Sequence, residues 1–175
     1  TAICEKKFPE EIADILNIYI EVVNESVRKF GGRINKIIGD GLFIYFPTRE
    51  SNCLAAGYEI LKSVAVINQR LADNKHDPIS VGIGAHRGVC TLGNIGYSER
   101  VDYTLIGDAV NIAARVESYT RQVGPNSFCF TEELLHEANE YEYVEKGTIS
   151  LKGRKAPVNI YVLTGKNTSP TVKLA

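Results

Sequence analysis

Two short stretches of this 175-residue sequence hold residue types and spacings suited to phosphate chemistry. The first is Gly39-Asp40-Gly41. An aspartate between two glycines at a hairpin tip projects its carboxylate past its neighbours. Magnesium is commonly held by one or two carboxylates together with substrate phosphates. An ordinary Asp-Gly turn has the same composition, so the residues alone leave both readings open. The second stretch opens at Gly107-Asp108. At 100° per residue, Asp108, Asn111 and Arg115 fall within about 60° of one another on one helix face. Ala109, Ile112, Ala113 and Val116 take the opposite face. A guanidinium suits charge building on a transferring phosphoryl group, and an amide suits the orientation of a sugar oxygen. A solvated face with a helix-starting aspartate fits the pattern as well.

Other candidates carry less. Lys152, in Leu151-Lys152-Gly153-Arg154, lies in a basic glycine-bearing turn that suits either a phosphate or a plain surface hairpin. Gly93-Asn94-Ile95-Gly96 lacks the following Lys-Ser/Thr of a phosphate-binding loop. His76, His86 and His136 form no ligand pattern, and no Ser/His/Asp or Cys/His arrangement stands out. Cys4, Cys53, Cys90 and Cys129 are scattered without a C-x-x-C pair, which argues against zinc and a disulfide framework. Buried or partly buried free thiols in a reducing compartment are expected.

These residues need elements to position them. Ile12, Ile15, Leu16, Tyr19, Val23, Val27 and Phe30 recur at the spacing of one buried helical face, predicting a helix over 9–30. Residues 34–38 and 42–46 are rich in β-branched and aromatic types and flank the Asp40 turn as a hairpin. A second helix is expected over 51–73, burying Leu54, Tyr58, Leu61, Ala65 and Leu71. A half-buried strand follows over 79–85, then a turn at 93–96 and a short strand ending at 103–104. After the helix from Gly107, residues 127–130 predict a strand with a short helix behind it. Residues 142–151 and 157–163 predict a closing strand pair. Residues 166–175 read as a loose tail. Helices interleaved with hairpins predict an α+β fold rather than a doubly wound one.

Hydrophobic residues make up 44% and charged residues 23%, which fits a soluble globular domain. A formal net charge of −1 gives no electrostatic reason to expect nucleic acid or an anionic membrane. No apolar run approaches the ~20 residues of a membrane span, and no signal-peptide pattern opens the chain.

The order and wording of the motifs say more than any one of them. They run Phe30-Gly31-Gly32, Asn35-Lys36-Ile37-Ile38-Gly39-Asp40-Gly41, Gly82-Ile83-Gly84 with Gly88, and Gly93-Asn94-Ile95-Gly96. The long stretch from Asp102-Tyr103-Thr104 through Gly107-Asp108 to Asn111 and Arg115 follows, and Leu151-Lys152-Gly153 closes the set. Over roughly residues 1–163 the chain resembles the class III adenylyl/guanylyl cyclase catalytic domain.

The resemblance implies a ferredoxin-like, palm-type core with an antiparallel-rich sheet flanked by helices, working as a head-to-tail homodimer with shared sites. It places the domain over residues 1–165. Asp40 matches a metal-binding aspartate, and two Mg²⁺ or Mn²⁺ ions per site are expected in the complete domain. Lys36 and Thr104 match the pair that reads the purine edge. Asn111 matches the residue that orients the ribose, and Arg115 the one that stabilises the transition-state phosphate. Lys152 matches the basic residue on the terminal phosphates, and Thr1 the end of the first metal and phosphate loop. Relatives that use GTP typically carry Glu and Cys where Lys36 and Thr104 stand, so ATP is the expected substrate and cyclic AMP with pyrophosphate the products. The family's first metal aspartate sits on a strand four residues before the position of Thr1. The chain therefore reads as an N-terminally incomplete domain that binds the two-metal substrate complex poorly as it stands. A regulatory pseudo-cyclase and a guanylyl cyclase are the alternatives. A cytoplasmic location and an upstream sensor or regulatory domain complete the expectation.

Overall fold

The computed structural model describes residues 9–48, 52–97, 100–150 and 157–167. The elements are α1 (Pro9–Lys29), β1 (Arg33–Ile38), β2 (Gly41–Tyr45), α2 (Cys53–Asp73), β3 (Gly82–Ala85), β4 (Thr91–Tyr97) and β5 (Arg100–Ile106). They continue with α3 (Asp108–Val123), β6 (Ser127–Thr131), a 3₁₀ stretch Glu132–Glu140, β7 (Tyr141–Ile149) and β8 (Val158–Lys166). The fold is α+β, as the interleaved pattern predicts. A four-stranded sheet runs in the order β3-β6-β8-β7, with β3 and β6 parallel and the other pairs antiparallel. The hairpins β1–β2 and β4–β5 form two further ribbons.

Strand β6 is buried at every residue, and its alternation divides the core into two faces. Phe128 and Phe130 turn toward α2 and the 3₁₀ stretch, packing with Leu54, Leu134 and Tyr141. Cys129 turns the other way and joins Ile160 and Val162 of β8 against Ile112 and Val116 of α3. The same parity on β3 places Gly82 and Gly84 under α3. A Cβ at Gly84 would run into the backbone nitrogen of Glu117, so the glycine lets α3 lie directly on the strand. A third cluster joins Ile15, Tyr19, Val23 and Val27 of α1 to Ile60 and Val64 of α2, with Leu42 and Ile44 of β2 packed against it.

Four details differ from the sequence reading. Helix α2 buries Leu54, Ile60 and Val64, while Ala65 is exposed. Gly57 lies against Phe128, where any side chain would collide with the ring, and the buried face takes in Ala55, Ala56 and Gly57. Residues 93–96 form part of β4 rather than a turn, pairing Gly93 with Thr104 and Gly96 with Val101. Glycines in a two-stranded ribbon erase the alternation that marks a strand. The third strand starts at Gly82, three residues later than expected. Ile79 is buried but bonds both its backbone groups to the Asn68 side chain, at 2.8 and 2.9 Å, in place of a neighbouring strand. Strand β8 runs on to Lys166, and Asn167 N donates to the Glu140 carbonyl at 2.9 Å, so the first two residues of the expected tail are tied to the domain. Residues 168–175 lie outside the described residues. Among the described residues, no helix is long and apolar enough to cross a membrane.

Candidate active site

Strand β1 carries a bulge where the pairing steps from Ile34↔Ile44 to Lys36↔Phe43, leaving Asn35 as the extra residue. A bulge re-aims side chains that a regular strand would send to opposite faces. Here two consecutive residues both reach β5. The Asn35 amide nitrogen donates to the Tyr103 carbonyl at 3.1 Å, and the Thr104 hydroxyl donates to the Asn35 side-chain oxygen at 3.3 Å. Lys36 Nζ sits 3.2 Å from the Asp102 carboxylate. Asp102 and Thr104 are two apart on β5, so Lys36 and Thr104 both belong to the seam where β1 meets β5.

The Asp40 turn closes this hairpin at its other end. Gly39 has φ +62, a left-handed conformation open to glycine at little cost, and Asp40 follows half-buried. Its charge is felt by Tyr19 on α1. Burial first, then the Asp40 carboxylate, pushes the Tyr19 phenol up to about 12. Among the described residues, no three His, Cys, Asp or Glu side chains gather as a metal-ligand set.

Helix α3 follows β5 through Gly107 alone, so the strand bearing Thr104 leads straight into the helix bearing Asn111 and Arg115. Ile112 and Val116 are fully buried, while Asn111 and Arg115 are exposed one turn apart, as the helical period predicts. Asp108 in the first turn complements the positive end of the helix dipole. Arg115 reaches the Ser150 carbonyl at 3.3 Å, at the end of β7 and two residues before Lys152. Thr1 and Lys152 themselves lie outside the described residues.

Sequence reasoning gave no role to Asn35 or Asp102. Asp102 was open to discovery, because strand parity puts it on the face of Thr104. Asn35 was not, because nothing in the local pattern announces the bulge. A second polar cluster was also missed. His86 is buried, with Nδ1 2.8 Å from Thr131 Oγ1 and 3.4 Å from the Glu133 carboxylate. Arg87 touches His136 and lies 3.1 Å from Glu137, whose other oxygen accepts from the Cys53 thiol at 3.8 Å. Burial, then the Glu137 charge, pushes that thiol far up, which keeps it protonated and unsuited to nucleophilic work. Cys129 is buried as expected, but Cys90 is exposed. It lies against Gly107, where a Cβ would come within 3.2 Å of the Cys90 side chain.

Comparison with known proteins gives the family. Residues 1–165 match the family model for the adenylate and guanylate cyclase catalytic domain. An adenylate cyclase of Anabaena cylindrica is 32% identical over 92% of this chain, and adenylate cyclase 1 of Rhizobium meliloti is 27% identical over 94%. The chain spans only 34% and 26% of those relatives' lengths. Among solved structures, the adenylyl cyclase CyaB of P. aeruginosa superposes with a TM-score of 0.80 at 26% identity, covering 93% of this chain and 87% of that one. The guanylyl cyclase Cya2 superposes with a TM-score of 0.79 at 29% identity, covering 97% and 88%. Similarity of fold thus spans both nucleotide preferences. The chain belongs to the family of adenylate and guanylate cyclase catalytic domains.

Proposed function

We propose that this domain is an adenylyl cyclase that converts ATP to 3′,5′-cyclic AMP and pyrophosphate at sites completed by a second copy of the chain. The observation that carries the reading is that Lys36 and Thr104 are both tied across the seam between β1 and β5, Lys36 to Asp102 and Thr104 to Asn35. Lys36 donates to N1 of adenine, and Thr104 accepts from its 6-amino group. Asn111 orients the ribose. The 3′ oxygen attacks the α-phosphorus in line; its bond to phosphorus forms as the bond to the bridging oxygen breaks, the hydroxyl proton is released, and pyrophosphate leaves. Arg115 stabilises the charge on the reacting phosphoryl group, and Lys152 and Thr1 hold the phosphates. Positioning and charge stabilisation supply most of the rate.

A half-buried carboxylate at a hairpin tip suits a hard cation that completes its shell with phosphates and water. Asp40 would hold Mg²⁺ or Mn²⁺ there, which supplies Lewis-acid stabilisation of the phosphate charge. The charge of Asp40 reaches Tyr19 on α1, whereas Lys36 pairs with Asp102 on β5, and this favours a site drawn from two copies. Exposed Ile37, Ile38, Val101, Tyr103 and Ile106 on the same ribbons offer the apolar surface for that association.

Guanylyl cyclase is the second reading, favoured by the similarity to Cya2. Replacing Lys36 by Glu and Thr104 by Cys distinguishes them, because an acceptor at 36 suits the N1 donor of guanine. The paired variant is expected to lose ATP turnover and gain GTP turnover. A parent chain that already uses GTP in preference to ATP overturns the adenylyl assignment.

A further inference from the structure

Three groups in sequence fix the polarity of the Thr104 hydroxyl. The Tyr103 carbonyl only accepts, so the Asn35 group 3.1 Å from it is the amide nitrogen. The Asn35 oxygen then faces Thr104 at 3.3 Å, and it too only accepts. The Thr104 proton is therefore committed to Asn35, and lone pairs are what the hydroxyl offers a ligand. On the same seam, Lys36 has donors alone and is held by Asp102 at 3.2 Å. A freely turning hydroxyl would donate to a 6-oxo group as readily as it accepts from a 6-amino group. Only the bulge brings Asn35 to this seam; a regular strand would direct its side chain away from the face that Lys36 uses.

We propose that Asn35 is a specificity-determining positioning residue, which acts through Thr104 to favour a 6-amino purine nucleotide over a 6-oxo one. The inference rests on the base-reading roles given above to Lys36 and Thr104. Asn35 makes no contact with the base and leaves the phosphate chemistry to other groups. Its removal changes the relative affinity for the two purine edges more than it changes the rate of the chemical step.

The test is displacement of a fluorescent ATP analogue from the full chain by ATP, GTP and ITP with Mn²⁺ present, alongside turnover of each. ITP carries the guanine-type N1–H and 6-oxo edge without the 2-amino group. In the parent, ITP is expected to bind as weakly as GTP, and ITP binding as well as ATP overturns the proposal without any variant. Asn35→Ala is expected to lower the ATP:GTP affinity ratio by about three- to tenfold, the worth of one neutral hydrogen bond. In a Thr104→Val background the same change is expected to shift the ratio by less than about twofold, since the two residues act as one unit. An Asn35→Ala variant that weakens ATP and GTP equally, or one that shifts the ratio as far in the Thr104→Val background as in the parent, overturns the role of Asn35. A parent that prefers GTP overturns the adenylyl reading and the inference with it.

Discussion

The Lys36 ammonium and the Asp102 carboxylate meet at 3.2 Å across the join between β1 and β5, tying the hairpin that ends in Asp40 to the strand that carries Thr104. Both side chains are partly exposed, 30% and 50%, so water screens the pair and it adds little to folding. Its effect is to hold one flexible lysine in place. Asp102→Asn is expected to leave stability within about 1 kcal/mol of the parent. The KM for ATP is expected to rise by about two- to fivefold with kcat less affected, the range of an exposed ion pair. Steady-state kinetics beside a denaturant melt separates the two effects.

Arg115 projects from an exposed helix face and leans on the Ser150 carbonyl at 3.3 Å, a long contact. Arg115→Ala is therefore expected to spare stability. It is expected to lower kcat by about 10²–10³, the cost of losing a donor aimed at transition-state charge. A full-rate alanine variant removes Arg115 from the mechanism.

If Asp40 serves one half of a site and Arg115 the other, the two act from different copies. Asp40→Ala and Arg115→Ala, each inactive alone, are expected to regain about a quarter of parent activity when mixed in equal amounts. Half the pairs are then mixed, and each mixed pair keeps one intact site of two. Absence of rescue, in a mixture shown to exchange copies, places both residues in one chain's own site.

Gly84 lets α3 rest on β3, and a methyl group there meets the backbone of Glu117. Gly84→Ala is expected to destabilise the fold by about 1–3 kcal/mol, as overpacking does. It should also reduce turnover by shifting the helix that carries Asn111 and Arg115. Chemical denaturation and an activity assay on the same preparation check both.

Tyr19 holds its proton more tightly folded than unfolded, because burial and then Asp40 raise its pKa to about 12 from an ordinary value of 10.0. Between those values the unfolded chain has lost a proton that the folded chain keeps, so stability falls as pH rises. The contribution is complete below about pH 10 and lost by about pH 12. Tyr19→Phe is expected to flatten that part of the stability–pH profile; an unchanged slope assigns the alkaline loss to other groups.

What could be read from the sequence was what depends on period. The exposed Asn111 and Arg115 and the buried Ile112 and Val116 follow from 3.6 residues per turn, and the Asp40 hairpin from glycines flanking an aspartate between β-rich runs. Lys36 and Thr104 are 68 residues apart, and only motif resemblance, not local pattern, put them together. The Asn35 bulge shifts register by one residue and leaves no periodic trace. The same blindness hid β4, whose glycines remove alternation, and the inward face of α2, which depends on a close approach to Phe128 from far along the chain.

The most direct test of the account supplies a form of the domain extended upstream of Thr1, to include the first metal aspartate the family carries, with equimolar ATP and GTP in the presence of Mn²⁺ and identifies the cyclic nucleotide formed. Cyclic AMP as the dominant product, lost on Lys36→Ala, is the predicted result. Cyclic GMP as the dominant product, or no cyclic nucleotide from either substrate, would contradict it.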